Sequence, residues 1–269
     1  METKVAIIGM GFVGGTIYKS FSSGANPFLS VMAIDLAKGY NATYDDIHDF
    51  DAAFICVPSP QGADGSADTS ILEGVLKELV EVSFTGVIIS KVTAPPDVYN
   101  RLQESHNNLV HAPEFLTAAN AYDDYTKGSF AIIGGEIKAY RIEAERIIRI
   151  SQPKLNSVIH CTIGEAALAK YTINSFLATK VVFMNEMEKL ATSSGMNWQK
   201  IVRAVQQDNR IGLTHMQVPG PDGQYGFGGM CFPKDTSAVL KYAESMDQNL
   251  SVLDAAVKKN LIIRLTQPK

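Results

Sequence analysis

Long apolar runs are what this 269-residue sequence lacks first: no stretch approaches the ~18 residues that span a bilayer, which excludes a membrane-crossing helix. An excess of basic charge is missing too. Lys and Arg number 24 against 28 Asp and Glu, a net charge of -4 with interspersed signs, so there is no basic stripe to neutralise a phosphate backbone and nucleic acid is excluded as a partner. Cysteine is scarce. The three at positions 56, 161 and 231 fit neither a disulfide framework nor paired metal-ligand spacing, which implies reduced thiols in a cytoplasmic setting and no metal site. The opening METKVAIIGMG has no basic leader or cleavage signal, so secretion is not expected. Repeats, heptads and low-complexity tracts are also missing. What remains is a globular chain, 46% apolar, with enough material for one large core or two modest ones.

The first half alternates short β-rich runs with helical or polar segments. Lys4–Ile8, Val31–Ile34, Ala52–Val57, Val87–Ser90, Leu109–His111 and Ala131–Ile133 read as strands, and their alternation with helices predicts a mainly parallel, doubly wound Rossmann-like sheet. Near residue 160 the texture changes. Thr162-Ile-Gly-Glu165 has the form of a capping box and opens a stretch to about Leu190 free of proline and glycine. Within it Ala167, Lys170, Asn174, Leu177, Ala178, Val181 and Asn185 recur at three- and four-residue intervals, one face of a long helix. The Pro/Gly-rich PGPDGQYGFGG cannot continue a helix and reads as a loop able to approach a ligand; a further helical stretch spans about Thr236 to Arg264, and TQPK reads as a frayed end. The expected architecture is α/β, a Rossmann-like domain over 1-160 followed by an all-α domain over 161-269.

Gly9-Met-Gly11-Phe12-Val13-Gly14 follows a strand and opens a helix, the setting in which such glycines allow a tight turn, close approach to a pyrophosphate and tight helix packing. Asp35 ends the second strand about twenty residues further on, where a carboxylate accepts from ribose hydroxyls and repels a 2′-phosphate. The prediction is a dinucleotide site that prefers NAD to NADP. By motif alone, FAD stays open.

For the chemistry, Cys56 sits inside the apolar run AAFICV and Cys161 just before the helix cap, both settings for a small core hydrophobe. Cys231 differs. It follows the glycine-rich loop and precedes Phe-Pro-Lys234-Asp235, with a cation and a carboxylate close to an accessible thiol. Residue pattern alone leaves two readings, nucleophile or packing residue. Lys170 and Asn174, one turn apart on a small-residue face, either point together into a cleft or lie at a solvated edge.

The run GFGGMCFPKD at 226–235 resembles the nucleophile segment of the UDP-glucose dehydrogenases, in the UDP-glucose/GDP-mannose dehydrogenase family. In the same order, FICVPSP at 54–60, DGSADTS at 64–70, KVTAPPD at 91–97, APEFL at 112–116, LAKYTINSFLATK at 168–180 and DNRIG at 208–212 resemble that family's successive blocks. The resemblance implies NAD-dependent oxidation of the C6 alcohol of a nucleotide-sugar, UDP-glucose, to the acid in two steps. Cys231 would trap the intermediate aldehyde as a thiohemiacetal and then carry a thioester. Lys170 and Asn174 would stabilise charge on the C6 oxygen, Asp235 would position water or accept protons, and Glu114 would act as general base for hydrolysis with Thr93 holding water. Val57, Pro58, Thr93 and Lys234 would join the glycines and Asp35 around the cofactor. Phe115, Leu116, Phe227 and Gly228 would contact the substrate beside Glu114, Lys170 and Asn174. Arg210 would reach a nucleotide-sugar on the neighbouring subunit, which implies a homodimer through the helical domain.

The pattern departs from the family at three places. Its usual second glutamate after APEFL stands as Ala118, its usual serine before the cysteine as Met230, and the segment after Asp35 is shorter. The family also continues into a second Rossmann-like domain for the uridine diphosphate, and the chain is expected to lack it, ending at Lys269. Alternatives to a minimal enzyme are a non-catalytic NAD-binding or split-enzyme subunit, a GDP-mannose or UDP-N-acetylmannosamine dehydrogenase, or a thiol-independent hydroxyacid dehydrogenase.

Overall fold

The computed structural model describes residues 2–23, 28–117 and 119–266; the expectations placed on Ala118 and on residues 267–269 lie outside them. The chain divides into two compact units, Met1–Gly62 with Ala67–Lys170, and Ala63–Ser66 with Tyr171–Lys269.

In the first unit, strands β1 (Thr3–Ile8), β2 (Leu29–Asp35), β3 (Tyr40–Asn41), β4 (Ala52–Ile55), β5 (Val87–Ser90), β6 (Leu109–His111), β7 (Phe130–Gly134) and β8 (Ser157–Cys161) form one sheet in the order β3-β2-β1-β4-β5-β6-β7-β8. The run from β2 to β6 is parallel, β7 pairs parallel with β8, and β3 and β7 are antiparallel to β2 and β6. Continuous apolar strands are required because both faces are covered. Val5 and Ile7 enter a core with Ile17 and Phe21 of α1 (Phe12–Ser22) and Ile147 of α5 (Lys138–Ser151). Ala6 and Ile8 face the opposite core, with Leu72 and Leu76 of α2 (Ser70–Glu81) and Tyr99 of α3 (Pro96–Ser105). The chain builds outward from β1 in one direction and then from β4 in the other. The β1–β4 junction is therefore the topological switch point at which such sheets bind ligands.

All six expected strands are present, with β4 ending at Ile55 rather than Val57. Two more were not read from sequence. β3 is only two residues long, and β8 (SVIHC) is largely exposed, so its alternation carries little apolar signal.

Helix α6 (Ile163–Ser193) opens with the expected capping box: the Thr162 amide donates to Glu165 Oε2 at 2.8 Å, and the Glu165 amide to Thr162 Oγ1 at 3.3 Å. The second unit contains most of α6, α7 (Trp198–Val205), α8 (Phe232–Ser245) and α9 (Ser251–Leu265). One cluster packs Met184, Ala191, Trp198, Met216 and Val218; another packs Ala178, Val182, Phe227 and Ala256. The last helical stretch is broken, not continuous. Asp247 takes a left-handed conformation (φ 54°), and the Gln248 amide returns to the Ala243 carbonyl at 2.8 Å, closing α8 without the glycine or proline that marks such ends in sequence. Among the described residues no helix is long and apolar enough to cross a membrane.

Candidate active site

The loop from β1 to α1 lies at the switch point. Gly9 has φ +90°, and a Cβ on Gly14 would lie 1.9 Å from the Gly9 carbonyl oxygen, so neither position accepts a side chain without movement. Around Gly11 the space is open: a Cβ there would find nothing within 4 Å. The first turn of α1 has no side-chain cap and no acidic residue, which leaves its amides available to an anion. Phe12 is exposed and Val13 half-buried beside them. Asp35, at the end of β2, accepts the Met10 amide on Oδ2 at 2.8 Å, and Lys38 Nζ donates to the Met10 carbonyl at 2.6 Å. These residues fit a dinucleotide: a glycine cradle, free helix amides and a carboxylate at the second strand end.

Beyond β4, Val57 is half-buried and Pro58 exposed, and Ser59 Oγ donates to the carbonyl of the half-buried Thr93 at 2.8 Å. The APEFL segment follows β6. Glu114 Oε2 accepts the Leu116 amide at 2.7 Å, leaving Oε1 3.7 Å from Lys170 Nζ. Lys170 also donates to the Glu114 carbonyl and lies over the Phe115 ring at 5.0 Å from its centroid. Of the two sequence readings of Lys170, the buried one holds: it is 4% exposed.

Sequence reasoning missed the amine beside this pair. Lys91, the first residue of KVTAPPD, is 7% exposed, and its backbone amide donates to the Ile55 carbonyl at 2.9 Å. Burial pushes its ammonium from 10.5 down to about 8, against the pull of the Cys56 and Glu114 side chains, with Lys170 adding repulsion. With Glu114, Phe115 and Leu116 it lines a cavity of about 400 Å³. The same burial pushes the Cys56 thiol up to about 12, so that cysteine belongs to the core.

In the second unit, Asp235 lies in the first turn of α8 and is 1% exposed. Asn174 Nδ2 donates to its Oδ2 at 2.6 Å and Lys234 Nζ to its Oδ1 at 2.6 Å. Both carboxylate oxygens are thereby engaged, and the buried Asn174 amide is oriented by a residue 61 positions away. Cys231 is exposed at the N-terminal end of α8, a setting that favours negative charge. Met230 before it is 89% exposed and lines no core. Phe227 is buried and Gly228 half-buried. Arg210 stands apart: its guanidinium is held by Asp208 at 2.5 Å with the side chain 89% exposed.

Glycine cradle and switch-point sheet define a Rossmann-type dinucleotide-binding protein, with a helical second unit. Comparison with known proteins narrows this. The NAD-binding domain of the UDP-glucose/GDP-mannose dehydrogenase family matches residues 30–152 and its central domain residues 164–261, and the chain belongs to that family. It is 32% identical over 232 residues to UDP-glucose 6-dehydrogenase of Pseudomonas aeruginosa, covering 80% of this chain and 49% of that protein. With UDP-glucose 6-dehydrogenase of Haloferax volcanii it shares 27% identity over 302 residues, 96% of this chain and 69% of that one. The chain thus spans about half the length of the Pseudomonas relative. In fold it is similar to a UDP-glucose dehydrogenase from Pyrobaculum islandicum, with a TM-score of 0.81 at 23% identity over 97% of this chain and 68% of that chain.

Proposed function

We propose that the chain is an NAD-dependent nucleotide-sugar dehydrogenase that oxidises the C6 alcohol of UDP-glucose to UDP-glucuronate. The observation that carries this reading is the exposed Cys231 thiol at the N-terminus of α8, in a chain whose first unit contains the family's NAD-binding domain. A single alcohol oxidation needs no thiol; carrying an aldehyde on to the acid without releasing it does. When bound, NAD supplies the hydride acceptor, with the Gly9–Gly14 loop holding its pyrophosphate and Asp35 its ribose.

Cys231 adds to the C6 aldehyde to give a thiohemiacetal, and loss of hydride and a proton from that adduct gives a thioester. Water cleaves the thioester, releasing the carboxylate and the thiol. Glu114, its Oε2 held by the Leu116 amide and its Oε1 3.7 Å from Lys170 Nζ, takes the proton from that water, and Thr93 helps to hold it. Lys170 and Asn174 donate to the C6 oxygen as it gains charge, with Asn174 oriented by Asp235. Phe115, Leu116, Phe227 and Gly228 would contact the substrate, and Lys234, paired with Asp235 at 2.6 Å, would help to hold the cofactor phosphates. We assign residues 1-160 as the NAD-binding domain and 161-269 as the helical domain. The exposed Phe176, Phe183, Met187 and Leu190 on α6, at intervals of seven, four and three residues that keep them on one helix face, support a homodimer through this helix, with Arg210 serving the neighbouring subunit's substrate.

NADH formation with NAD and UDP-glucose tests the proposal, with Cys231→Ser and GDP-mannose alongside. About two NADH per UDP-glucose, lost in Cys231→Ser, is the expected result. NAD binding without turnover on any sugar would sink it in favour of a binding subunit.

A further inference from the structure

The glycine-rich segment before Cys231 has no regular structure, yet part of it is buried, so its backbone polar groups need partners from elsewhere. Side chains of two helices supply them. The Gly226 amide donates to Asn185 Oδ1 of α6 at 2.9 Å. The Phe227 amide donates to Asn260 Oδ1 of α9 at 2.7 Å, and the Phe227 carbonyl accepts Asn260 Nδ2 at 2.9 Å and Arg264 Nε at 3.0 Å. Asn260 thus pairs with both polar groups of one residue, as a neighbouring strand would, while itself only 6% exposed. Arg264 is tied down in turn by Asp222, at 2.9 Å. Gly226 has φ +74°, and a Cβ there would lie 2.4 Å from Asn260 Oδ1, so the amide reaches the segment only because that residue is glycine.

The grip reaches the thiol through the aromatic side chains. The Phe227 ring packs edge-on to Phe232 at 6.1 Å between centroids, and Phe232 opens α8 directly after Cys231. Both rings belong to the apolar cluster of Ala178, Val182 and Ala256, which joins α6 to α9. Fixing the Phe227 backbone therefore fixes the ring against which the first turn of α8 is seated, and Cys231 is the residue that caps the start of that turn.

We infer that Asn260 is a positioning residue for the Cys231 thiol, acting through the Phe227 backbone and the Phe227–Phe232 contact. The inference rests on the thiol chemistry proposed above and adds to it that α9, although it contributes no reacting group, sets the geometry of the nucleophile. Asn260→Ala removes both bonds to Phe227; Asn260→Asp keeps the acceptor, loses the donor and serves if the alanine variant does not fold. Lys259→Ala is the control, since it removes an exposed ion pair with Glu186 from the same turn of α9.

With NAD and UDP-glucose, kcat is expected to fall about tenfold or more in the Asn260 variant, because small misplacements of reacting groups are costly, while KM for NAD stays within about twofold. Amide hydrogen exchange should show lost protection at Gly226 and Phe227, with the core of α7 unchanged. A variant whose kcat and exchange match Lys259→Ala, or whose exchange rises with kcat intact, overturns the inference. A wild-type chain without turnover defeats the proposed function instead, and the exchange at Phe227 alone then decides whether Asn260 holds the segment.

Discussion

Replacing Lys91 with methionine removes a buried ammonium and keeps a side chain of similar length, so its effect isolates the charge. The amine falls from 10.5 to about 8 on folding because burial strips its water, and the neighbouring Glu114 offsets only part of that loss. A fall of that size corresponds to about 3 kcal/mol of preference for the neutral form. Below pH ~8 the amine is protonated in both states and the folded chain bears the whole cost. Between about 8 and 10.5 the unfolded chain holds a proton that the folded chain has released, so wild-type stability rises with pH across that window. Lys91→Met is therefore expected to be more stable than wild type by up to about 3 kcal/mol near neutral pH, with the advantage shrinking toward zero by about pH 10.5. Cys56 does not confuse the comparison: its thiol, pushed up from 9.0 to about 12 by folding, makes stability fall with pH above about 9, but that contribution is shared by wild type and variant and cancels in their difference. Urea unfolding followed by far-ultraviolet circular dichroism, at about pH 7 and again near 10, measures the difference. A methionine variant less stable than wild type near neutrality, or an advantage that does not change with pH, would refute the reasoning.

Two further outcomes follow from the site. Gly11→Ala should fold with stability close to wild type, since its Cβ meets nothing within 4 Å, yet lose about tenfold or more in NAD affinity by filling the cradle; Gly14→Ala, whose Cβ falls 1.9 Å from the Gly9 carbonyl, should lose stability as well. Calorimetric NAD titration of both variants checks this, and normal affinity in Gly11→Ala would place the cofactor elsewhere. His111 is buried and neutral, its Nδ1 on the Ser90 carbonyl at 3.1 Å and its ring stacked on Tyr99 at 4.2 Å, and burial pushes it down to about 3. As pH falls below about 6.5 the unfolded chain takes up a proton the folded chain refuses, so stability should drop by about 1.4 kcal/mol per pH unit from this residue alone. His111→Gln should flatten that limb of the acid-unfolding curve, and an unchanged slope would show that another group carries it.

Much of the candidate site was legible because its signals are local. Three glycines and an aspartate at set spacing mark a strand-turn-helix and the next strand end, and the structure places the glycines at the switch point of the sheet and Asp35 at the end of the adjacent β2. The capping box at Thr162 and Glu165 is a four-residue device and forms as read. Legibility failed where local pattern was weak. β8 is an exposed strand, α7 is only eight residues long, and the break between α8 and α9 uses Asp247 in place of glycine.

Sequence by itself therefore determined the alternation of strands and helices in the first unit and the dinucleotide fingerprint, since each is written in spacing over a few turns or strands. Tertiary structure alone decided what those residues touch. Lys91 reads as an ordinary lysine until the sheet and the APEFL segment bury it beside Glu114. Asp235 is one carboxylate after a cysteine until Asn174 and Lys234 each donate to one of its oxygens. Asn260 is one polar residue in a final helix until it meets the backbone of Phe227, 33 positions earlier. The physical reason is common to all three: desolvation and hydrogen-bond pairing depend on which segments pack together, and that is fixed by the whole chain.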